Sequence, residues 1–152
     1  DLIEISGGNY EAPVFGGEYE NGASFASYAT ILTELTDTPI VSTGGFRSRD
    51  EMEKVLSSGV SVIGLARPFV LYKDLVRRFE NNDNFIIRTP RLSTKISKLD
   101  KAFGPIIGVS YYEAQMKRLA NNKLPKPSTN AWPYLAGTLK AHGLSALKPR
   151  RN

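Results

Sequence analysis

Two neighbouring stretches decide the fold: TPIVSTGGFRS at residues 38–48 and SVIGLARPF at residues 61–69. Each opens on β-branched and apolar residues, turns at a glycine, and runs into a polar or proline-bearing helix start. Thr38-Pro39 breaks whatever precedes, and Ile40-Val41-Ser42-Thr43 reads as a strand entering Gly44-Gly45. Ser48 or Asp50 then caps a helix whose apolar positions are Met52, Val55 and Leu56, ending at Gly59. Ser61–Leu65 is the next strand, starting about 22 residues after the previous one, which is the length of one tight βα unit.

Working outward, Leu2–Ser6 is a third apolar, β-branched run ending at Gly7-Gly8. Residues 9–24, rich in glycine and aromatics, read as a long loop, a length that in compact domains usually carries function. Phe25, Tyr28, Ala29, Leu32 and Leu35 fall at helical spacing. After Arg67-Pro68, the apolar positions Val70, Leu71, Leu75, Val76 and Phe79 predict one further helix, with Pro68 suited to its first turn. Residues 1–80 therefore alternate strand and helix three times, which implies parallel strands.

Beyond residue 83 the character changes. Residues 1–83 hold 7 Lys/Arg against 13 Asp/Glu, a balance of −6, and residues 84–152 hold 13 against 2, a balance of +11. The expected division is a partial βα domain over 1–83 and a basic, mostly helical extension over 84–152. In the extension, Phe85–Ile87 is a short extended piece, and 94–103 and 109–122 are two helices. Residues 123–128 form a turn, 130–141 a last helix, and 148–151 a frayed end. No nucleic-acid motif accompanies the basic charge, so no nucleic-acid partner is expected.

With no cysteine and one histidine, His142, the chain has no disulfide, no thiolate nucleophile and no multi-histidine metal site. No apolar run approaches the ~20 residues of a membrane-spanning helix, so no membrane association is expected, and the location expected is the cytoplasm.

A parallel βα succession suits either a doubly wound sheet or a TIM barrel. The strand ends favour the barrel, because the loops after its seventh and eighth strands commonly bind phosphate. Small residues let main-chain N–H groups approach a dianion, and an arginine adds a charge-assisted contact. Gly44, Gly45 and Arg67 supply those parts. As a bare packing feature, the same glycines make tight turns. The fold expected is thus α/β, the C-terminal part of a TIM (β/α)8 barrel comprising its last three βα units, with a helical extension. A barrel needs eight strands over roughly 250 residues, so the chain reads as a portion of a longer protein.

DLIEISGGNYE (1–11), TPIVSTGGFRS (38–48) and VIGLARPF (62–69) resemble, in order, the sixth to eighth strand regions of flavin oxidoreductases of the old yellow enzyme family. YYEAQMKRLANNKLPKP (111–127) resembles their C-terminal helix and its exit. The resemblance implies FMN held at the barrel mouth, NADH or NADPH as co-substrate, and hydride transfer to an activated alkene or similar electron-poor acceptor. It implies that Gly44, Gly45, Ala66 and Arg67 bind the cofactor, with Ala66 standing where glycine is frequent, and that Gly8 and Tyr10 lie at the substrate rim. The family's substrate-anchoring His/Asn or His/His pair, proton-donating Tyr and flavin-contacting Arg belong to earlier strands. No catalytic residue and no metal site are therefore expected here, and the partner implied is the rest of the barrel or another subunit. Glu4 and Glu11 read as strand and loop residues, His142 as a surface or packing residue, and Tyr111, Tyr112 and Trp132 as partly buried rings. Two other readings of the same residues are a TIM-barrel enzyme of aldolase or isomerase type binding a substrate phosphate, and a non-catalytic half-barrel binding module.

Overall fold

A computed structural model describes residues 1–6 and 25–143, in two compact units, Asp1–Thr89 and Pro90–Asn152. The first unit is mixed α/β. Strands β1 (Ile3–Ser6), β2 (Ile40–Thr43) and β3 (Val62–Gly64) form one parallel sheet in the order β1-β2-β3. The register pairs Ile3 with Ile40 and Ser6 with Thr43, then Val41 with Val62 and Thr43 with Gly64. Strand order follows chain order, as consecutive βα units produce.

Period-two alternation puts Ile5, Ile40 and Ile63 on one face of this sheet. There they pack with Ala29 and Leu32 of α1 (Ala26–Thr33), Val55 of α2 (Arg49–Leu56), and Val60. Tyr28 and Leu35, expected on the buried face of α1, are instead 62% and 73% exposed. Ala29 meets the sheet, and Leu35 lies beyond the end of α1. Ser48 is the N-cap of α2, and the capping box with Glu51 explains why Ser48 and not Asp50 takes that position.

Two helix expectations are corrected. The single helix after Arg67 is two, α3 (Arg67–Leu71) and α4 (Leu75–Asn81). Tyr72 between them is extended (φ −126°, ψ 88°). Its hydroxyl donates to Arg88 O at 2.8 Å and its ring meets Phe85 edge-on at 5.6 Å, contacts that a continuous helix forgoes. Phe85–Ile87 joins no strand; Ile87 is buried and donates its N–H to Arg47 O at 2.7 Å.

In the second unit, the two helices expected over 94–103 and 109–122 are one, α5 (Ser97–Ala120), which runs through Gly104 and Pro105. An internal proline costs about 3 kcal/mol. Against that, Ile107 and Tyr111 are buried, and Ile107 packs with Ala131 and Leu135 at the start of α6 (Trp132–His142). Tyr111 is fully buried, edge-on to Tyr112 and Tyr134 at 5.0 and 5.1 Å, while Trp132 stays 46% exposed with its indole N–H bonded to Thr94 O.

Residues 94–96 stay outside α5 because Asp100 holds them there. Its carboxylate accepts from Thr94 N (2.8 Å), Thr94 Oγ1 (2.6 Å) and Ser93 Oγ (2.7 Å). Those bonds, Thr94's first, hold the Asp100 carboxyl below its ordinary pKa. A depressed folded-state pKa gives stability that is present above the unfolded value and is lost as pH falls through the folded one. Acid unfolding of this unit, followed by circular dichroism, is expected to lose that contribution progressively below about pH 4, the ordinary carboxylate range. Asp100→Asn is expected to lower stability near neutrality and flatten the dependence; an unchanged acid profile in that variant contradicts the assignment.

Candidate functional site

The parallel register brings the ends of β2 and β3 together. Thr43 pairs with Gly64, and Gly44 N donates to Gly64 O at 3.2 Å, so one main-chain bond joins the two turns. Both turns leave the carboxyl ends of their strands. Gly44 and Gly45 have φ of +102° and +87°, a region that side-chain-bearing residues rarely adopt. A Cβ on Gly44 would meet nothing within 4 Å, so its requirement for glycine is conformational and the space above it is open.

Gly64 differs. A Cβ there would stand 1.8 Å from Thr43 Oγ1 and 2.8 Å from Thr43 Cβ, so its hydrogen is what lets the Thr43 side chain lie across it. Two residues on, Ala66 is exposed and precedes Arg67 and the buried Pro68 in the first turn of α3. Arg67 is half-buried at the same sheet end.

Of the cofactor-binding residues expected from the sequence, Gly44, Gly45, Ala66 and Arg67 thus share one end of adjacent strands. Gly8, Tyr10 and Glu11 lie outside the described residues, and so does the side chain of His142. Glu4 is an exposed strand residue whose register partner is Val41. No cluster of three or more potential metal-ligating side chains occurs among the described residues. No helix there is long and apolar enough to cross a membrane.

Several residues of this region escaped the sequence reading. Phe46 is fully buried and pins the loop behind the glycines. Glu51 Oε2 accepts from Arg47 N at 2.6 Å and Ser48 N at 3.2 Å; the Ser-x-x-Glu spacing at 48–51 was the signal that could have revealed it. Ser42 Oγ and Thr43 Oγ1 are buried without a hydrogen-bond partner among the described residues, directly before the glycine pair. Leaving a buried hydroxyl unbonded costs about 1–3 kcal/mol. Two concavities among the described residues lie elsewhere, along α4 and the end of α3. One, lined by Asp74, Arg77, Arg78, Asn81, Asn82 and Phe85, holds an Arg78–Asp74 pair at 2.8 Å, with the guanidinium stacked over Tyr72 and Phe85. That arrangement satisfies itself and reads as surface packing.

The sheet and its joined glycine turns define an α/β protein whose β2 and β3 turns meet at one strand end. Comparison with known proteins finds two relatives. The chain is 38% identical over 80 residues to the NADH-dependent flavin oxidoreductase iliE of Hypocrea jecorina, covering 45% of this chain and 20% of that protein. It is 41% identical over 83 residues to the NADH-dependent flavin oxidoreductase iccE of Talaromyces variabilis, covering 47% and 20%. The matches span about a fifth of the length of these relatives. The resemblance to flavin oxidoreductases of the old yellow enzyme type therefore holds over about half of the chain. No family model matches, and no solved structure matches.

The two glycine requirements predict different outcomes. Gly64→Ala must push Thr43 aside and is expected to destabilise by roughly 1–3 kcal/mol, as overpacking does. Gly44→Ala meets open space and is expected to cost about 1–2 kcal/mol through backbone strain alone. Urea unfolding of both variants, each also combined with Thr43→Gly, separates the causes. The second substitution is expected to relieve Gly64→Ala and to leave the penalty of Gly44→Ala unchanged; equal relief of both contradicts the distinction.

Proposed function

We propose that this chain forms the FMN phosphate-binding part of an oxidoreductase that passes hydride from NADH or NADPH to an activated alkene or similar electron-poor acceptor. The observation that carries the proposal is the junction of the Gly44-Gly45 and Ala66-Arg67 turns through the Gly44–Gly64 bond, within a chain similar to two flavin oxidoreductases. The residues present fit a phosphate. Gly44 N is committed to the ladder, so the loop's contribution comes from the Gly45 amide, which has no acceptor among the described residues. The open space over Gly44 admits an oxygen-sized group. Arg67 brings the cation, and a guanidinium binds phosphate oxygens in a bidentate manner.

When bound, the flavin supplies the hydride chemistry. This chain's residues anchor and orient it, and exclude water from its phosphate end. The proton donor and the groups that hold the acceptor belong to other parts of the protein, so this chain on its own is expected to reduce no alkene.

The proposal includes closure of the sheet into a TIM barrel. Among the described residues β1 and β3 each pair with β2 alone, so both sheet edges present unbonded main-chain groups. Leu2 and Val62, on the face away from the helices, are 60% and 49% exposed. Further strands, from the same protein or another subunit, are the partners that satisfy both features.

In the protein that carries this chain, Arg67→Ala combined with Gly45→Val is expected to weaken FMN binding about 100-fold or more, from loss of a charge-assisted contact and of the amide geometry. Titration of the apoprotein with FMN, followed by flavin absorbance and fluorescence, measures it. An unchanged affinity defeats the assignment, and a colourless protein with no affinity for FMN favours an enzyme that binds a substrate phosphate.

A further inference from the structure

The loop between Thr43 and α2 is held from the helix side by one carboxylate. A capping box needs the Glu51 side chain to take only the Ser48 amide, at 3.2 Å here, while the Ser48 hydroxyl takes Glu51 N at 3.3 Å. The shorter bond, 2.6 Å from Arg47 N to the same Oε2, is additional and reaches one residue closer to the glycines. Arg47 O is itself fixed by Ile87 N, and Phe46 is buried. Gly44 N goes to Gly64 O. From Gly44 to Ser48, the amides left without an acceptor among the described residues are those of Gly45 and Phe46.

We infer that Glu51 is a positioning residue for phosphate: by holding the Arg47 and Ser48 amides, it keeps the loop in the one arrangement that leaves the Gly45 N–H available to the anion. This inference rests on the reading of the strand ends as the FMN phosphate site. The carboxylate is negative, yet its role is to accept two N–H groups through one oxygen, and a glutamine oxygen in the same place does that without the charge. Removing the acceptor frees two amides and lets the loop relax, which weakens recognition of the phosphate and leaves recognition of the isoalloxazine ring alone.

The test is the preference for FMN over riboflavin, read as the ratio of their dissociation constants, in the protein that carries this chain. Glu51→Ala is expected to reduce the preference about tenfold through loss of both acceptor bonds, with riboflavin affinity within about twofold of wild type. Glu51→Gln is expected to restore the preference. Ser48→Ala removes the other arm of the capping box, so it is expected to lower helix stability while changing the preference less than about twofold. Arg67→Ala reports on the site itself. Should Arg67→Ala lower the preference while Glu51→Ala does not, or should Ser48→Ala lower it as much as Glu51→Ala, the positioning role is overturned and the phosphate site stands. Should Arg67→Ala leave the preference intact, the phosphate reading fails and the positioning role falls with it.

Discussion

A single main-chain hydrogen bond, Gly44 N to Gly64 O, extends the β2–β3 ladder one step past its last strand pair and ties two turns together. It forms because Thr43 and Gly64 are in register and Gly64 has no side chain to hold the strands apart. The proposed site in the first unit depends on that contact. It joins the turn that leads into Ala66 and Arg67 to the glycine loop, and it commits the Gly44 amide to the ladder, which leaves Gly45 as the donor the proposal uses. The helix side supplies the second constraint, since Glu51 and the buried Phe46 fix where the loop goes after Gly45.

In the proposed reading, main-chain donors and one guanidinium recognise the charge and shape of a phosphate, and the chemistry lies elsewhere. This division suits a chain whose relatives are redox enzymes about five times the length of the matched region. In that reading the reacting groups belong on other elements and this strand end serves as an anchor. The loop has four of its groups held by the protein. The groups are Gly44 N, Arg47 N, Arg47 O and Ser48 N.

Much of this was legible in the sequence. The βα alternation showed because each strand is a short apolar run ending in glycine, and Ile40–Thr43 was located to the residue. The pairing of the two glycine ends followed from parallel order alone. The register that joins them did not, since nothing local in VIGLARPF specifies that Gly64 lies under Thr43. The split at Tyr72 was hidden because its cause, a bond to Arg88 O and a ring contact with Phe85, lies 13–16 residues away. The continuity of α5 through Pro105 was hidden for a similar reason: local propensity argues for a break, and burial of Ile107 and Tyr111 overrides it. Glu51 was readable as half of a capping box, but its shorter bond to Arg47 N depends on the course of the loop.

The most direct test of the central claim is a crystal structure of the protein that carries this chain with FMN bound, examined at the phosphate. The account predicts phosphate oxygens within about 3.2 Å of Gly45 N and of the Arg67 guanidinium, with the Gly44–Gly64 bond intact. A phosphate held elsewhere, with these two strand ends facing solvent or protein, contradicts it.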